Sequence, residues 1–465
     1  MAQQRVLTRT VQGFLLLGTR MVQQSMRNAL SPLLVFMSKE LNISTSQKGT
    51  LLSAIAFGYF FTQVPGGALA DKLGAKNVMT VSLALSAMCC LAVPSSVDAM
   101  GMPGLWAVMA VMGAVQGPLF PTSTVYLSKW MPKKVEGGTD EKAWGTSMLD
   151  IGISVGALIV IPLANSLAGA LGWRLAYQLI GGMSLAFVGL WMILAAEEPR
   201  RCFYISRAEL EFLDATVPKP QSKAKVVDGE SSGAGSVDSV GWTGLPLAVA
   251  THSGLWAVFI AHIAFNYGAY YLTNWSPTYY AEVLKVSPAD AKYHLMMPHI
   301  TNLASKSLNP LLVKLVERLG FDVLAARRIF TTTGFLLAAA CLLPVYQLSG
   351  LNPWISTVLF SAANAFFGLA PSGFKANYLD ITEKYVGVIS GYGNTLGTVA
   401  SWVGPQLVAK LLANFGSWDL VLASVAVSNC LAALIYARYS VVTPIEQLVL
   451  AKDAPFLKVK AHKEG

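Results

Sequence analysis

Gly67-Ala68-Leu69-Ala70-Asp71-Lys72-Leu73-Gly74-Ala75-Lys76 is a short charged turn set between two long apolar runs, 47–69 and 77–97. Each run reaches the length of about 20 residues that an α-helix needs to cross the hydrocarbon core of a bilayer. The decapeptide is too short and too polar to be anything but a reversal, and its glycines permit one. Outward from it the same alternation continues in both directions. Runs of spanning length fall near 11–37, 47–69, 77–97, 104–127, 143–165, 176–196, 254–282, 291–313, 329–348, 354–374, 385–412 and 418–437. The first, eighth and tenth contain polar residues and are weaker hydropathy signals. Twelve crossings of an all-α integral membrane protein are predicted.

Composition agrees. Of 465 residues, 54% are hydrophobic and 13% charged, where a soluble domain carries roughly 25% charge. Water is therefore the wrong solvent for most of this surface. The net charge of +9 does not describe a nucleic-acid footprint, because the basic residues sit in short groups between apolar runs rather than along one face. Cys89, Cys90, Cys202, Cys341 and Cys430 show no metal or redox spacing, and adjacent Cys89 and Cys90 are not placed for an ordinary bridge. All five are expected to be free thiols. Arg5 and Arg9 lead into a first apolar segment too long for a cleavable signal.

Connections are short except between the sixth and seventh runs. That segment opens Glu197-Glu198-Pro199-Arg200-Arg201, holds a helical pattern around 205–213, and continues through a Lys-, Ser-, Gly- and Asp-rich stretch over 218–240. Such a stretch lacks the apolar surface to fold and reads as a linker. The expected organisation is an N-terminal six-helix bundle over 1–196, a partly disordered cytoplasmic linker over 197–250, a C-terminal six-helix bundle over 251–440 and a cytoplasmic tail over 441–465. Most of the 34 Lys and Arg residues fall on the side of the termini and the central linker, which places both termini on the inner side. The sequon Asn42-Ile43-Ser44 then lies in the first outer loop.

The 67–76 decapeptide resembles the loop of the major facilitator superfamily, G-x-L-A-D-[RK]-x-G-[RK]-[RK], with a departure at Ala75. Gly67, Asp71, Lys72 and Gly74 are its motif residues. Further segments resemble the anion:cation symporter family, which includes vesicular glutamate transporters, sialin and plant phosphate transporters. These are Gly58-Tyr59-Phe60-Phe61-Thr62-Gln63-Val64-Pro65-Gly66-Gly67, Ser128-Lys129-Trp130-Met131-Pro132, Asn274-Trp275-Ser276-Pro277-Thr278-Tyr279-Tyr280 and Gly373-Phe374-Lys375-Ala376-Asn377-Tyr378-Leu379-Asp380-Ile381 with Gly393-Asn394-Thr395-Leu396-Gly397-Thr398. The resemblance implies a major facilitator fold in two six-helix halves and gradient-driven transport of phosphate or an organic anion with Na⁺ or H⁺. It also exposes departures. Where relatives carry an Arg and a Glu in the fourth helix, this chain has Met109 and Gln116. Where some vesicular members carry an Arg in the seventh, it has Phe265.

An ionisable group at membrane depth costs at least about 2.5–3.5 kcal/mol on insertion scales, so it is a functional candidate. Arg20 and Arg27 are two helical turns apart in the first run, with Gln24 between them on that face. Guanidinium forks suit phosphate, sulfate or carboxylate. Arg27-Asn28 also stands where the resembled family places its first-helix Arg. In the seventh run Asn266, Tyr270 and Asn274 recur every four residues with Tyr267 and Tyr271 alongside. Together with Gln116 these complete the expected substrate-binding set. Asp150 in the fifth run and Lys306 in the eighth lie at matching depths and are expected to form a coupling or gating pair. His299 and Asn302 share a stripe with Lys306 and Asn309, a pattern suited to a wet cavity, and both are counted with the coupling or gating residues, His299 as a proton-sensing candidate beside the alternative of a satisfied hydrogen-bonding histidine. Gly152 and Gly156, like Gly393 and Gly397, are assigned to helix packing.

No metal cluster, nucleophile with a base, or paired carboxylates stands at membrane depth, so an enzyme is not expected and neither is a bound cofactor. The expectation is a monomeric multi-pass transporter of a small anion, inorganic phosphate or an organic carboxylate, working by alternating access. An organic-anion antiporter or uniporter, or a transport-inactive receptor or scaffold on the same fold, are the alternatives. Plasma membrane and organelle membrane are left open.

Overall fold

The computed structural model describes residues 8–131, 141–216, 245–382 and 385–449. The linker stretch 217–244, the end of the expected tail over 450–465 and the side chains of Gly67 and Asp71 lie outside the described residues. The described residues form helices and no strand. In chain order the helices are α1 (Thr8–Asn28), α2 (Leu30–Leu41), α3 (Thr45–Leu73), α4 (Ala75–Gln116), α5 (Leu119–Trp130), α6 (Glu141–Leu194) and α7 (Arg207–Thr216). There follow α8 (Leu247–Ala250), α9 (Ser253–Asn274), α10 (Ser276–Glu282), α11 (Pro288–Arg318), α12 (Val323–Leu342), α13 (Val345–Leu348), α14 (Pro353–Leu369), α15 (Pro371–Asp380), α16 (Val386–Phe415) and α17 (Trp418–Tyr439).

Each of the twelve apolar runs falls on helix. The 42 residues of α4 and the 54 of α6 are far longer than one crossing of about 30 Å needs at 1.5 Å per residue. Each therefore turns back, and each does so at a glycine with positive φ, Gly101 at 60° and Gly172 at 82°, where a Cβ would be strained. Among the described residues, six stretches are long and apolar enough to span, two of them these double lengths. The first and eighth runs are not among the six, as their polar residues led one to expect; the second and eleventh are not either, and the tenth is. Large apolar side chains such as Ile193, Val427 and Leu434 are more than half exposed. In water that surface would be an aggregation hazard, and in lipid it is the solvated face.

The chain divides into two compact units, Met1–Leu41 with Ala54–Ser236, and Asn42–Ser53 with Val237–Gly465. In the first unit α1 packs on α6 and α4. Gly152 and Gly156 make that approach close: a Cβ on either would lie 2.4 Å from the Leu17 carbonyl oxygen or 2.3 Å from that of Met21. In the second unit α9 packs on α16 and α17, and α14 packs on α11 and α12. Asn42 ends α2 in the left-handed region at φ 53°, a conformation asparagine tolerates better than other non-glycine residues. From it the opening turns of α3 join the second unit, where Lys48 pairs with Glu282.

The loop motif is placed by a distant carboxylate. Gly74 has φ 87°, and Glu197, just past α6, accepts hydrogen bonds from the Ala75 and Lys76 amides at 2.9 and 2.6 Å and from Lys129 Nζ at 2.5 Å. Glu197 thus satisfies the bare amides that begin α4. The expected linker helix is α7, and it is anchored: Glu209 accepts from the Thr8 and Arg9 amides at 2.8 and 3.0 Å, and Arg9 lies over the Phe212 ring. All five cysteines are free thiols.

Candidate functional site

In the first unit the polar stripe of α1 faces inward. Arg20 is 7% exposed. Its guanidinium donates to the Gln23 amide oxygen and stands 5.7 Å from the Phe120 ring centroid. Arg27 is half-buried and lies 5.2 Å from the centroid of Tyr59 on α3. Gln24, expected to sit between the two arginines, donates instead to Asn28 at 2.9 Å. The amide beside Arg20 is Gln23, which spacing did not single out. Gln116 at the end of α4 is fully buried, and neither of its amide atoms has a hydrogen-bond partner among the described residues. A buried amide left in that state costs roughly 1–3 kcal/mol, so a polar guest would be favoured there. Asp150 is exposed on α6. Of the loop motif, Lys72 is exposed and Gly74 supplies the turn, while the side chains of Gly67 and Asp71 are not described.

In the second unit the tyrosines and asparagines of α9 part ways. Tyr267 is buried and its hydroxyl shares a 2.7 Å bond with Ser424 of α17. Tyr271 is 2% exposed. Tyr267 belongs to the seam with α17. Asn266, Tyr270 and Asn274 are half-buried on the neighbouring stripe. On α11, Asn302 donates to the Asn364 carbonyl at 2.8 Å and Asn309 to that of Gly368 at 2.8 Å. These amides tie α11 to α14, a helix-joining role beside the wet cavity expected for them. His299 and Lys306 are half-buried on the same helix.

A cluster that sequence reasoning passed over lies where α9, α15 and α16 meet. His262 is 5% exposed, and its Nδ1 is 3.0 Å from the Tyr378 hydroxyl. Lys375 Nζ stands 5.1 Å from the Phe265 ring centroid, one turn along. Gly393 and Gly397 make room: a Cβ on the first would lie 1.9 Å from the Tyr378 hydroxyl, and on the second 2.1 Å from Asn266 Nδ2. The small-residue pair assigned to packing thus seats polar side chains. The signal was present, since His262 precedes Asn266, Tyr270 and Asn274 at the same four-residue step.

Spanning helices in two units, with guanidinium, amide and imidazole groups held inside, define a multi-pass membrane transporter. The Major Facilitator Superfamily model matches residues 16–405, and the chain belongs to that family. It is 27% identical over 376 residues to "Probable anion transporter 6" of Oryza sativa subsp. japonica, covering 80% of this chain and 81% of that one. It is 26% identical over 383 residues to "Sodium-dependent phosphate transport protein 1, chloroplastic" of Arabidopsis thaliana, covering 82% and 69%. Among solved structures it resembles a bacterial homolog of the human lysosomal transporter Spinster, with TM-score 0.66 at 12% identity over 94% of this chain and 96% of that one. The twelve-span fold and the transporter class follow from the family, and an enzyme is not what these helices build.

Proposed function

We propose that this protein is a secondary active transporter of a small anion, inorganic phosphate or an organic carboxylate, working by alternating access on a Na⁺ or H⁺ gradient. The observation that carries it is Arg20, a permanently charged group 7% exposed inside an apolar helical unit. Holding a guanidinium at that depth costs at least about 2.5–3.5 kcal/mol, and an arginine kept there is best used on a planar or tetrahedral anion. Arg27 and the orphaned Gln116 amide extend the same donor character. The printed names of the rice and Arabidopsis relatives, an anion and a phosphate transporter, support the choice of cargo. On this proposal Asn266, Tyr270 and Asn274 contribute from the second unit, Asp150 and Lys306 serve coupling, and both termini lie on the inner side.

The test is uptake of labelled inorganic phosphate and a panel of carboxylates into proteoliposomes, with and without Na⁺ and pH gradients. At least one anion should accumulate, and Arg20→Gln should cut its uptake about tenfold or more, the loss of one charge-assisted contact worth about 1.5–3 kcal/mol. Absence of anion movement under every gradient would leave a receptor or scaffold on the same fold.

A further inference from the structure

The geometry around His262 points to a second component of the transport cycle. Two rungs join α9 to α15. In one the His262 ring meets Tyr378 through the 3.0 Å contact at Nδ1; in the other Phe265 carries the Lys375 ammonium on its face. His262 and Phe265 are three residues apart, as are Lys375 and Tyr378, so the rungs are one turn apart. Phe374 closes the space between them, its ring 5.4 Å from His262 and 5.5 Å from Phe265. Gly393 and Gly397 of α16 form the third wall without side chains.

The elements packed on α9 are α10, α14, α15, α16 and α17. The acidic residues on them are Glu282, Asp380 and Asp419. Glu282 pairs with Lys48, Asp380 with Arg327 at 2.7 Å, and Asp419 accepts from Gln347 at 2.6 Å. α14 carries no charged residue, α16 carries Lys410, and α17 carries Arg438 two residues from Tyr436, whose hydroxyl accepts from Asn377 of α15 at 3.0 Å. Among the described residues of the second unit, His262 meets Tyr378 at 3.0 Å, and Lys375 stands one turn along α15 on the neighbouring rung. On the described helices packed against α9 each carboxylate already has a partner, so a proton on His262 adds to the Lys375 charge, and an anion resting at Lys375 offsets both.

We propose that His262, positioned by Tyr378, is a proton-binding site whose occupancy is tied to that of a small anion, phosphate or carboxylate, at Lys375. Proton and anion then enter together because each removes the charge penalty of the other, and neither binds well alone. This rests on the anion-transport proposal above and selects H⁺ as the driving ion. Tyr378 acts as a positioning residue, fixing which imidazole nitrogen is left to take up the proton.

The full chain in proteoliposomes tests this, with labelled inorganic phosphate and labelled glutamate as probes and an entrapped pH dye. Wild type should carry protons with the anion, and an inward gradient of about one pH unit should give about tenfold accumulation. His262→Gln should lose both proton movement and acid stimulation while exchange of internal against external anion remains measurable. Tyr378→Phe should shift the pH profile of uptake, and Lys375→Gln should raise the KM for the anion. Protons moving with the anion in His262→Gln at the wild-type ratio would overturn the assignment. So would a monodisperse His262→Gln protein inert in exchange as well. Failure of wild type to move either probe under any gradient is a separate result: it removes the transport proposal itself, and this one with it.

Discussion

Replacing Glu197 by alanine tests how the family loop is held. One carboxylate, its side chain 15% exposed, accepts from two backbone amides at the start of α4 and from Lys129. Hydrogen bonds to a charged group contribute about 1.5–3 kcal/mol each, and a carboxylate at a helix N-terminus adds about 0.3–1 kcal/mol. The three bonds share one group and water can reach the vacated site, so they do not simply sum. A loss of about 3–5 kcal/mol is expected. For a unit near two hundred residues each kcal/mol shifts Tm by about 2–4 °C, so the variant should melt roughly 6–20 °C lower. Tryptophan emission of the detergent-purified protein reports it, because the Trp130 indole donates to the Ala196 carbonyl at 3.0 Å, next to the deleted carboxylate. Glu198, exposed beside it, is the control and should stay within about 0.5 kcal/mol. Equal melting of Glu197→Ala and Glu198→Ala would refute the capping role.

Tyr267→Phe should cost about 1 kcal/mol through loss of the Ser424 bond and leave the KM for the transported anion within twofold, roughly 0.4 kcal/mol; a larger change in KM would return Tyr267 to the binding set. At the far end of the helices, the Arg174 guanidinium holds the Glu40 carboxyl below the usual carboxylate range. A depressed pKa means the interaction is fully present above the ordinary carboxylate value and is lost as pH falls through the lowered one. Thermal melts of wild type and Glu40→Gln should therefore differ by about 1 kcal/mol or less at neutral pH, as for exposed pairs, and converge in acid; divergence on acidification would contradict the assignment.

The fold was legible because membrane crossing imposes a length that any reader of hydropathy can measure. The turn at Gly74 was legible too, but its partner Glu197 was not. Nothing local in Glu197-Glu198-Pro199 says which carboxylate will reach back 122 residues to Ala75. The α1 stripe placed Arg20 and Arg27 inside, yet spacing cannot choose between residues three and four apart, and Gln23 rather than Gln24 meets Arg20. On α9 Tyr267 and Tyr271 occupy the stripe beside Asn266, Tyr270 and Asn274, and only packing decides that Tyr267 turns to Ser424 of α17. His262 was overlooked because the four-residue step it shares with Asn266, Tyr270 and Asn274 does not name its partner, and Tyr378 lies 116 residues away.

Glu209 closes the beginning of α1 from 201 residues downstream. During synthesis at about 5–20 residues per second, that first helix must wait roughly 10–40 s for the side chain that completes its amino end. Until then the leading turn is free to fray, and the maturation of the earliest segment is timed by one of the last pieces of the same half to leave the ribosome.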